Sequence, residues 1–389
     1  MSAALDSAAP EAAVERRETS SLPSFVEAQL SRSGLGSIFE KVMAGERLSF
    51  EDGVQLYETR DLLSVGALAN IVRERKNGNV AYFNRNLHIN YTNICNKLCL
   101  FCAFDRLPGQ EGGYTMYEKD IEERFAQWEG VDISEVHMVA GINPKLPFSY
   151  YTDLLRTVKR IRPDIHVKAF TMIELAQMVK LSKMSVPDTL FALKDAGLDS
   201  CPGGGCEVLS DRVHKELFHL KLGPRQWLEM QRAVHKCGLR SNATMLYGHI
   251  ETIAERVNHF IQLRELQDET GGFQTFIPLA FHPDNTEMAD LPPTTGFDDL
   301  KNISVARLML DNFAHIKAFW IMISPKLAQV SLSFGCDDMD GTVLEEKITH
   351  EAGALTPQGL TLDELVRLIK EAGREPVERD TLYNVLARY

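Results

Sequence analysis

No stretch of this 389-residue chain approaches the roughly 18–20 consecutive apolar residues that a bilayer-spanning helix needs. The most apolar runs, Ala318–Ile323 and Phe276–Phe281, have only the length of strands. A basic surplus is also missing: 42 Lys and Arg face 54 Asp and Glu, a formal net charge of −12. That excludes a general nucleic-acid binder, which needs cations to replace the counterions on phosphate. It leaves room for a local basic pocket around a small anion. The first residues, MSAALDSAAPEAAVERRETS, lack a cationic start leading into an apolar run. No secretory signal is read there, and a cytoplasmic protein with a loose tail over residues 1–21 is expected. An even set of cysteines is lacking too. There are seven, an odd number in a long chain without a signal, which does not describe a disulfide framework. The composition is otherwise ordinary, 44 % hydrophobic with 26 Gly and 16 Pro. Disordered and collagen-like chains are thereby excluded, and a large core is allowed.

What is present is an alternation. Apolar residues recur at helical spacing from Leu22 to Gly78, predicting a helical lead over residues 22–79. An extended segment, Val80–Tyr91, follows. Short apolar runs then appear at Val136–Ala140, His166–Phe170, Leu198–Cys201, Ser241–Leu246, Thr275–Phe281 and Lys317–Ile323, with a last one at Gly335–Gly341. Helical stripes lie between them, several bracketed by Pro at the start and Gly at the end, as at Pro187 and Gly197. Thr115 with Glu118 is expected to cap the first of these helices as a capping box. The spacing of about 30–40 residues is that of βα units. Some eight strands over residues 80–355 predict an α/β fold, a (β/α)₈ TIM-type barrel, with a doubly wound open sheet as the alternative. Thr361 with Glu364 predicts a capped helix in a C-terminal helical extension, residues 356–389.

The strongest local signal is Cys95-Asn-Lys-Leu-Cys99-Leu-Phe-Cys102, a CxxxCxxC spacing directly after the first extended segment. Three thiolates on so short a loop can converge on one metal centre. A structural zinc site uses four ligands, usually as two separated pairs, and no second pair exists. A [4Fe-4S] cluster held by three cysteines leaves one iron open to a small molecule. The competing readings are chance burial, a zinc site completed by a remote side chain, and a closed electron-transfer cluster that recruits Cys201, Cys206 or Cys336.

CxxxCxxC with an aromatic, Phe101, before the third cysteine resembles the radical S-adenosylmethionine superfamily. HINYTNIC, CPGGGCEV, NATMLYGHIET, RELQDETGGFQTFIPLAFHP and FGCDDMDGTVLEEKITHEAGA are, in order along the chain, similar to the aminofutalosine synthase family. The resemblance runs from Val80 to Leu355. It implies a barrel, a [4Fe-4S] cluster on Cys95, Cys99 and Cys102, and S-adenosylmethionine as co-substrate on the open iron. It also implies an enolpyruvyl benzoate dicarboxylate as substrate and an external reductant such as flavodoxin or ferredoxin. The reaction implied is adenosyl addition to the vinyl carbon of 3-[(1-carboxyvinyl)oxy]benzoate, in the futalosine route to menaquinone. Cys206 departs from the family, where a small residue such as Ala is expected. The sister radical enzymes, dehypoxanthine futalosine cyclase and the deazaflavin-forming synthase, share cluster and barrel. A non-enzymatic iron–sulfur or zinc protein is the reading from another class.

The resemblance and the barrel rule, which puts sites at the C-terminal ends of strands, together nominate residues. Phe101, Gly141, Gly204 and Glu207 are expected around S-adenosylmethionine, with Phe101 near the adenine and Glu207 accepting hydrogen bonds from ribose or amino group. Asn90, Tyr247, His249, His282, Asp338 and Asp340 are expected as substrate contacts. A cation is required for the two substrate carboxylates; Lys326 is nominated, with Arg240 and Lys317 also on suitable segments. His88 and His137 are expected to be strand residues with structural partners. No role follows for Cys201, Cys206, Cys237 or Cys336.

Overall fold

The computed structural model describes residues 29–30 and 32–389; the expected tail, residues 1–21, lies outside them. Three helices, Gly36–Ala44, Phe50–Glu58 and Leu62–Asn77, lead into the sheet. The predicted extended segment is two strands, β1 (Val80–Asn84) and β2 (Asn86–Ile89), which separate at Arg85 and enter different sheets.

Seven parallel strands then run side by side in chain order: β2, β3 (Glu135–Met138), β4 (His166–Ala169), β5 (Ser200–Cys201), β6 (Arg240–Tyr247), β7 (Phe273–Ala280) and β8 (His315–Ile316). Each is followed by one or more helices, because parallel neighbours cannot be joined by a tight turn. The sheet curls until its edges meet the segment that contains β9 (Asp338–Gly341). Lys317 bridges Asp338 on one side, and Leu87 bridges Leu344 on the other. The interior is therefore that of a TIM-type barrel, and the open doubly wound sheet is excluded.

Helix boundaries follow local chemistry. Pro187 occupies the first turn of Val186–Ala196, and Gly197 ends it at φ +118°. Thr361 and Glu364 form the expected capping box of Leu362–Glu371. The first crossover helix departs from expectation. It begins at Glu118, with the Asp120 carboxylate accepting from the Tyr117 N–H. Thr115 instead pairs with Thr92 in an antiparallel bridge, their hydroxyls 2.9 Å apart. The expected strand Lys317–Ile323 is also different: pairing stops at Lys317, and Trp320–Ile323 is a helical turn. Its unbroken apolarity suits either structure, because all but one of its four residues are buried.

After the helix Leu362–Glu371 the chain makes a hairpin, β10 (Glu375–Arg379) and β11 (Val385–Arg388), where a helical extension was expected. β10 runs parallel to β1, which in turn flanks β9 in a second sheet of order β11-β10-β1-β9. One buried ion pair and two hydrogen bonds tie the hairpin to the barrel. Arg379 donates to Asp338 (2.7 Å), the Tyr383 hydroxyl donates to the same carboxylate (2.7 Å), and Thr381 donates to Glu135 (2.6 Å).

Candidate active site

Strand alternation decides which side chains enter the barrel. His88 and Asn90 on and just past β2, His137 and Gly141 on and past β3, and Asn242, Thr244 and Leu246 on β6 all face inward. They line a cavity of about 330 Å³ together with Ile277 and Leu279 of β7, Phe281 just past it, and Lys317 and Phe319 after β8.

The loop after β2 carries the cysteines across the mouth of this cavity. Cys95, Cys99 and Cys102 all line it. The loop is braced by its own backbone: the Cys95 N–H donates to the Arg106 carbonyl (3.0 Å), and Asn96 N–H to the Ile142 carbonyl (3.2 Å). Cys102 N–H donates to the Cys99 carbonyl (3.0 Å), and Leu98 turns through a left-handed φ of +48°. The Asn93 side chain braces the loop too, donating to the Gly112 carbonyl and accepting from Tyr114 N–H. Burial pushes the Cys99 thiol up to about 11 and the Cys102 thiol up to about 12.

The donor set fits an iron–sulfur centre. Three soft sulfur ligands share one wall, and none of Cys201, Cys206, Cys237 or Cys336 lines the cavity to make a fourth. Buried thiols of raised pKa become thiolates when a metal replaces the proton. Among the described residues no three His, Cys, Asp or Glu close on a single metal ion. Ligands of a cubane each take a different iron, so their sulfurs need not meet at one point.

Opposite the loop, the chain leaves β5 through Pro202-Gly-Gly-Gly-Cys-Glu207. Gly203 (φ +76°) passes so close to β6 that a Cβ there would stand 1.7 Å from the Asn242 carbonyl oxygen. Gly205 (φ +98°) is pressed on Ile173 in the same way, a Cβ meeting its Cγ1 at 2.6 Å. At Gly204 a Cβ would meet nothing nearer than Thr171 Cγ2, at 3.4 Å, so the middle glycine leaves open space on the cavity. Glu207 follows at φ +51° and lines the cavity. Its carboxylate accepts from Lys221 Nζ at 2.7 Å, and that ammonium also stands 4.9 Å from the Phe101 ring centroid. Lys221 is held above its ordinary value: burial lowers it, but the thiols and Glu207 outweigh that. Lys221 carried no sequence signal, because its placement depends on a loop between two helices.

Ten of the fourteen nominated residues line this one cavity: Cys95, Cys99, Cys102, Phe101, Gly141, Gly204, Glu207, Asn90, His282 and Asp340. Gly141 has a packing reason as well, since a Cβ there would lie 2.5 Å from the Ile94 carbonyl oxygen. Asp340 accepts from Lys317 Nζ at 2.7 Å, both side chains buried. His282 Nε2 donates to the Met322 carbonyl (2.9 Å). Asn90 Nδ2 donates to the Val139 carbonyl (2.9 Å), and its Oδ1 is buried without a partner.

Four nominated residues lie elsewhere. The Tyr247 hydroxyl donates to Asp299 (2.8 Å), behind the β6 wall. His249 is enclosed, its Nε2 donating to the Leu246 carbonyl (3.0 Å). Lys326 is exposed on the helix Pro325–Ser331. Asp338 turns one carboxylate oxygen to the hairpin, where it pairs with Arg379, and accepts from the Asp340 N–H with the other (2.6 Å). Two residues apart on a strand they would share a face, but the φ of +65° at Asp340 breaks the alternation.

His88 and His137 stand on strands as expected, and each is the other's packing partner. They are register partners across β2 and β3, with rings stacked 4.6 Å apart and only 9° from parallel. Both line the cavity, and His88 Nε2 is buried without a hydrogen-bond partner.

Residues 89–263 match the family model of the radical SAM superfamily, and residues 270–388 match that of the CofH/MqnC C-terminal region. The chain is 50 % identical to aminodeoxyfutalosine synthase of Thermus thermophilus, over 89 % of this chain and 94 % of that protein. It is 44 % identical to aminodeoxyfutalosine synthase of Streptomyces coelicolor, over 90 % of this chain and 93 % of that protein. The solved structure of methylornithine synthase has the same fold, with a TM-score of 0.69 at 18 % identity, covering 87 % of this chain and 96 % of that one. Three cysteines on the first barrel loop, a barrel cavity beneath them and identity along nine-tenths of the chain have one explanation. The chain belongs to the radical S-adenosylmethionine superfamily and, within it, to the aminodeoxyfutalosine synthase family.

Proposed function

We propose that this protein joins the 5′-deoxyadenosyl group of S-adenosylmethionine to 3-[(1-carboxyvinyl)oxy]benzoate. The carbon radical adds to the vinyl CH₂ and the aryl group migrates from oxygen to carbon. Loss of the carboxylate as bicarbonate or CO₂ returns the electron and leaves 6-amino-6-deoxyfutalosine beside methionine. The observation that carries this reading is one open-mouthed cavity with the cysteine loop at its mouth and an apolar barrel interior beneath it.

The residues divide by position. Cys95, Cys99 and Cys102 hold the [4Fe-4S] cluster. When bound, that cluster supplies the electron that cleaves the sulfonium of S-adenosylmethionine. Gly204 provides the open backbone and Glu207 the acceptor for the adenosyl part, with Lys221 fixing the carboxylate and packing on Phe101. Ile277, Leu279, Phe281 and Phe319 give the reacting centre walls without exchangeable hydrogen. That keeps water and hydrogen donors from a reactive carbon radical. Asn90, His282, Asp340 and Lys317 stand along the same lumen for the substrate's polar groups. Tyr247, His249, Lys326 and Asp338 are not part of the proposed site.

Among the described residues no helix is long and apolar enough to cross a membrane. A cytoplasmic location and a small protein reductant, flavodoxin or ferredoxin, complete the proposal. So does the division of the chain into a lead (22–79), a catalytic barrel (80–355) and an extension (356–389).

The test is the reconstituted holoenzyme with dithionite, S-adenosylmethionine labelled in the adenosyl group, and the enolpyruvyl benzoate. The label is expected in the aminodeoxyfutalosine product. Free 5′-deoxyadenosine as the main labelled product would instead assign a sister cyclase-type reaction.

A further inference from the structure

The floor of the cavity carries two buried imidazoles for which the proposed reading has no use. His88 lies two residues before Asn90, so it sits about 7 Å deeper along the strand than the barrel mouth. His137 is beside it in register. Among the described residues neither ring makes a hydrogen bond, and His88 Nε2 is fully enclosed. A buried polar nitrogen without a partner is costly and usually awaits one.

The surrounding charges are already matched. Lys317 is paired with Asp340 at 2.7 Å, and Lys168 beneath is paired with Glu135 at 2.7 Å. Glu346 faces His350 at 3.2 Å. Burial pulls both His88 and His137 below their ordinary value, so each is a neutral ring with one N–H donor and one bare acceptor nitrogen. Phe319 continues the row, parallel to His88 within 9° at 6.3 Å, and supplies an apolar slab for an aromatic ring. A carboxylate accepts from both rings when each turns its N–H to the lumen.

We infer that the stacked His88–His137 pair is the anchor for the ring carboxylate of the substrate. This rests on the proposed function, because that reading sets the orientation. The vinyl carbon must face the cysteine loop at the mouth, so its own carboxylate stays near the top of the lumen. The benzoate carboxylate, meta to the ether oxygen and so held away from the reacting carbon, points to the floor. The two histidines are binding and specificity residues; the radical chemistry takes place above them.

Two measurements on the holoenzyme test this. The first compares the enolpyruvyl benzoate with the analogue that lacks the ring carboxylate. His137→Leu and His88→Leu are each expected to lower kcat/KM for the benzoate by about 10- to 100-fold, mainly through KM, the range of a charge-assisted hydrogen bond. The analogue should be turned over equally by both variants and the parent. Equal losses on both substrates, or no loss on either, would overturn the anchor. The second measurement is equilibrium dialysis of 3-hydroxybenzoate, which keeps only the ring carboxylate and needs no turnover. Weaker binding by both variants supports the anchor even if the adenosyl-transfer reading fails; unchanged binding refutes it. The melting temperature and the iron content of each variant report whether the fold and the cysteine loop survive the substitution.

Discussion

Gly203→Ala tests whether the loop Pro202–Glu207 is set by its contact with β6. The new methyl would lie 1.7 Å from the Asn242 carbonyl oxygen, about half a normal contact, and the residue would keep a φ of +76°. The left-handed backbone costs roughly 1–2 kcal/mol for an L-residue, and forcing an atom into a packed site adds about 1–3 kcal/mol. The unfolding entropy of a chain this long is about 0.8 kcal/mol/K. A drop in melting temperature of about 2–6 °C is therefore expected. Relief requires the loop to leave β6, which breaks the Leu246 N–H to Glu207 carbonyl bond (3.0 Å) and moves the Glu207 side chain. S-adenosylmethionine affinity should fall by at least about tenfold, or roughly 1.4 kcal/mol. Iron content should not change, because the cysteine loop lies on another strand. Gly204→Ala is the control: its Cβ has only a 3.4 Å contact with Thr171, so the melt should hold while affinity falls. Differential scanning calorimetry and equilibrium dialysis read the two effects. If Gly203→Ala melts with the parent and binds normally, the loop is not positioned by β6 and the reasoning is wrong.

Cys95→Ala, Cys99→Ala and Cys102→Ala are each expected to lose the cluster's visible absorbance and most bound iron with little change in far-UV circular dichroism. Cys336→Ala, which removes a thiol bonded to the Asp338 carbonyl at 3.1 Å, should keep its iron. Lys317→Met leaves Asp340 buried without its partner and should destabilise by about 3–5 kcal/mol, whereas Lys317→Met with Asp340→Asn should recover most of that in thermal melts. His350 is raised to about 9, chiefly by its hydrogen bond to Glu346. Its folded value exceeds the unfolded one, so the stabilisation is complete below about pH 6.5. It is lost as the pH rises through 9; the melting difference between the parent and His350→Gln should close over that window. Asp299 is raised to about 6, mainly by burial, so its carboxyl opposes folding once ionised. Asp299→Asn should flatten the fall in stability between about pH 4 and 6.

The barrel was legible because its two periods are written directly into the chain. Alternation of short apolar runs with amphipathic helices requires parallel strands, and the cysteine spacing marks which loop carries the metal centre. The hairpin β10–β11 was not legible. Glu-Pro-Val-Glu-Arg has neither a strong apolar alternation nor a turn signature, and its strand state comes from pairing with β1 almost 300 residues earlier. Likewise, no pattern near Lys221 marks it as the partner of Glu207, because the pairing is made by a connection between helices. Asp338 and Asp340 show the opposite error. Strand periodicity puts both on one face, and a single positive φ sends one to the hairpin and the other to the cavity.

The same logic explains why the histidines, marked by the sequence only as strand residues, matter in the structure. A histidine on a strand usually acquires a protein partner, so the prior favours a structural role. Here strand register overrides that prior. Aligning β2 with β3 sets two imidazoles side by side at one level of a closed barrel, where neighbouring lysines and acids have already matched one another. An acidic chain can bind a dicarboxylate only if its pocket supplies donors that its own carboxylates have not taken. At the mouth the Lys221 ammonium is already taken by Glu207, so the need falls to the imidazoles of His88 and His137 at the floor. Adding a carboxylate of the protein's own at that level, as His137→Glu, should abolish benzoate binding altogether while sparing cluster assembly at the mouth. That outcome would separate the two ends of the cavity by charge alone.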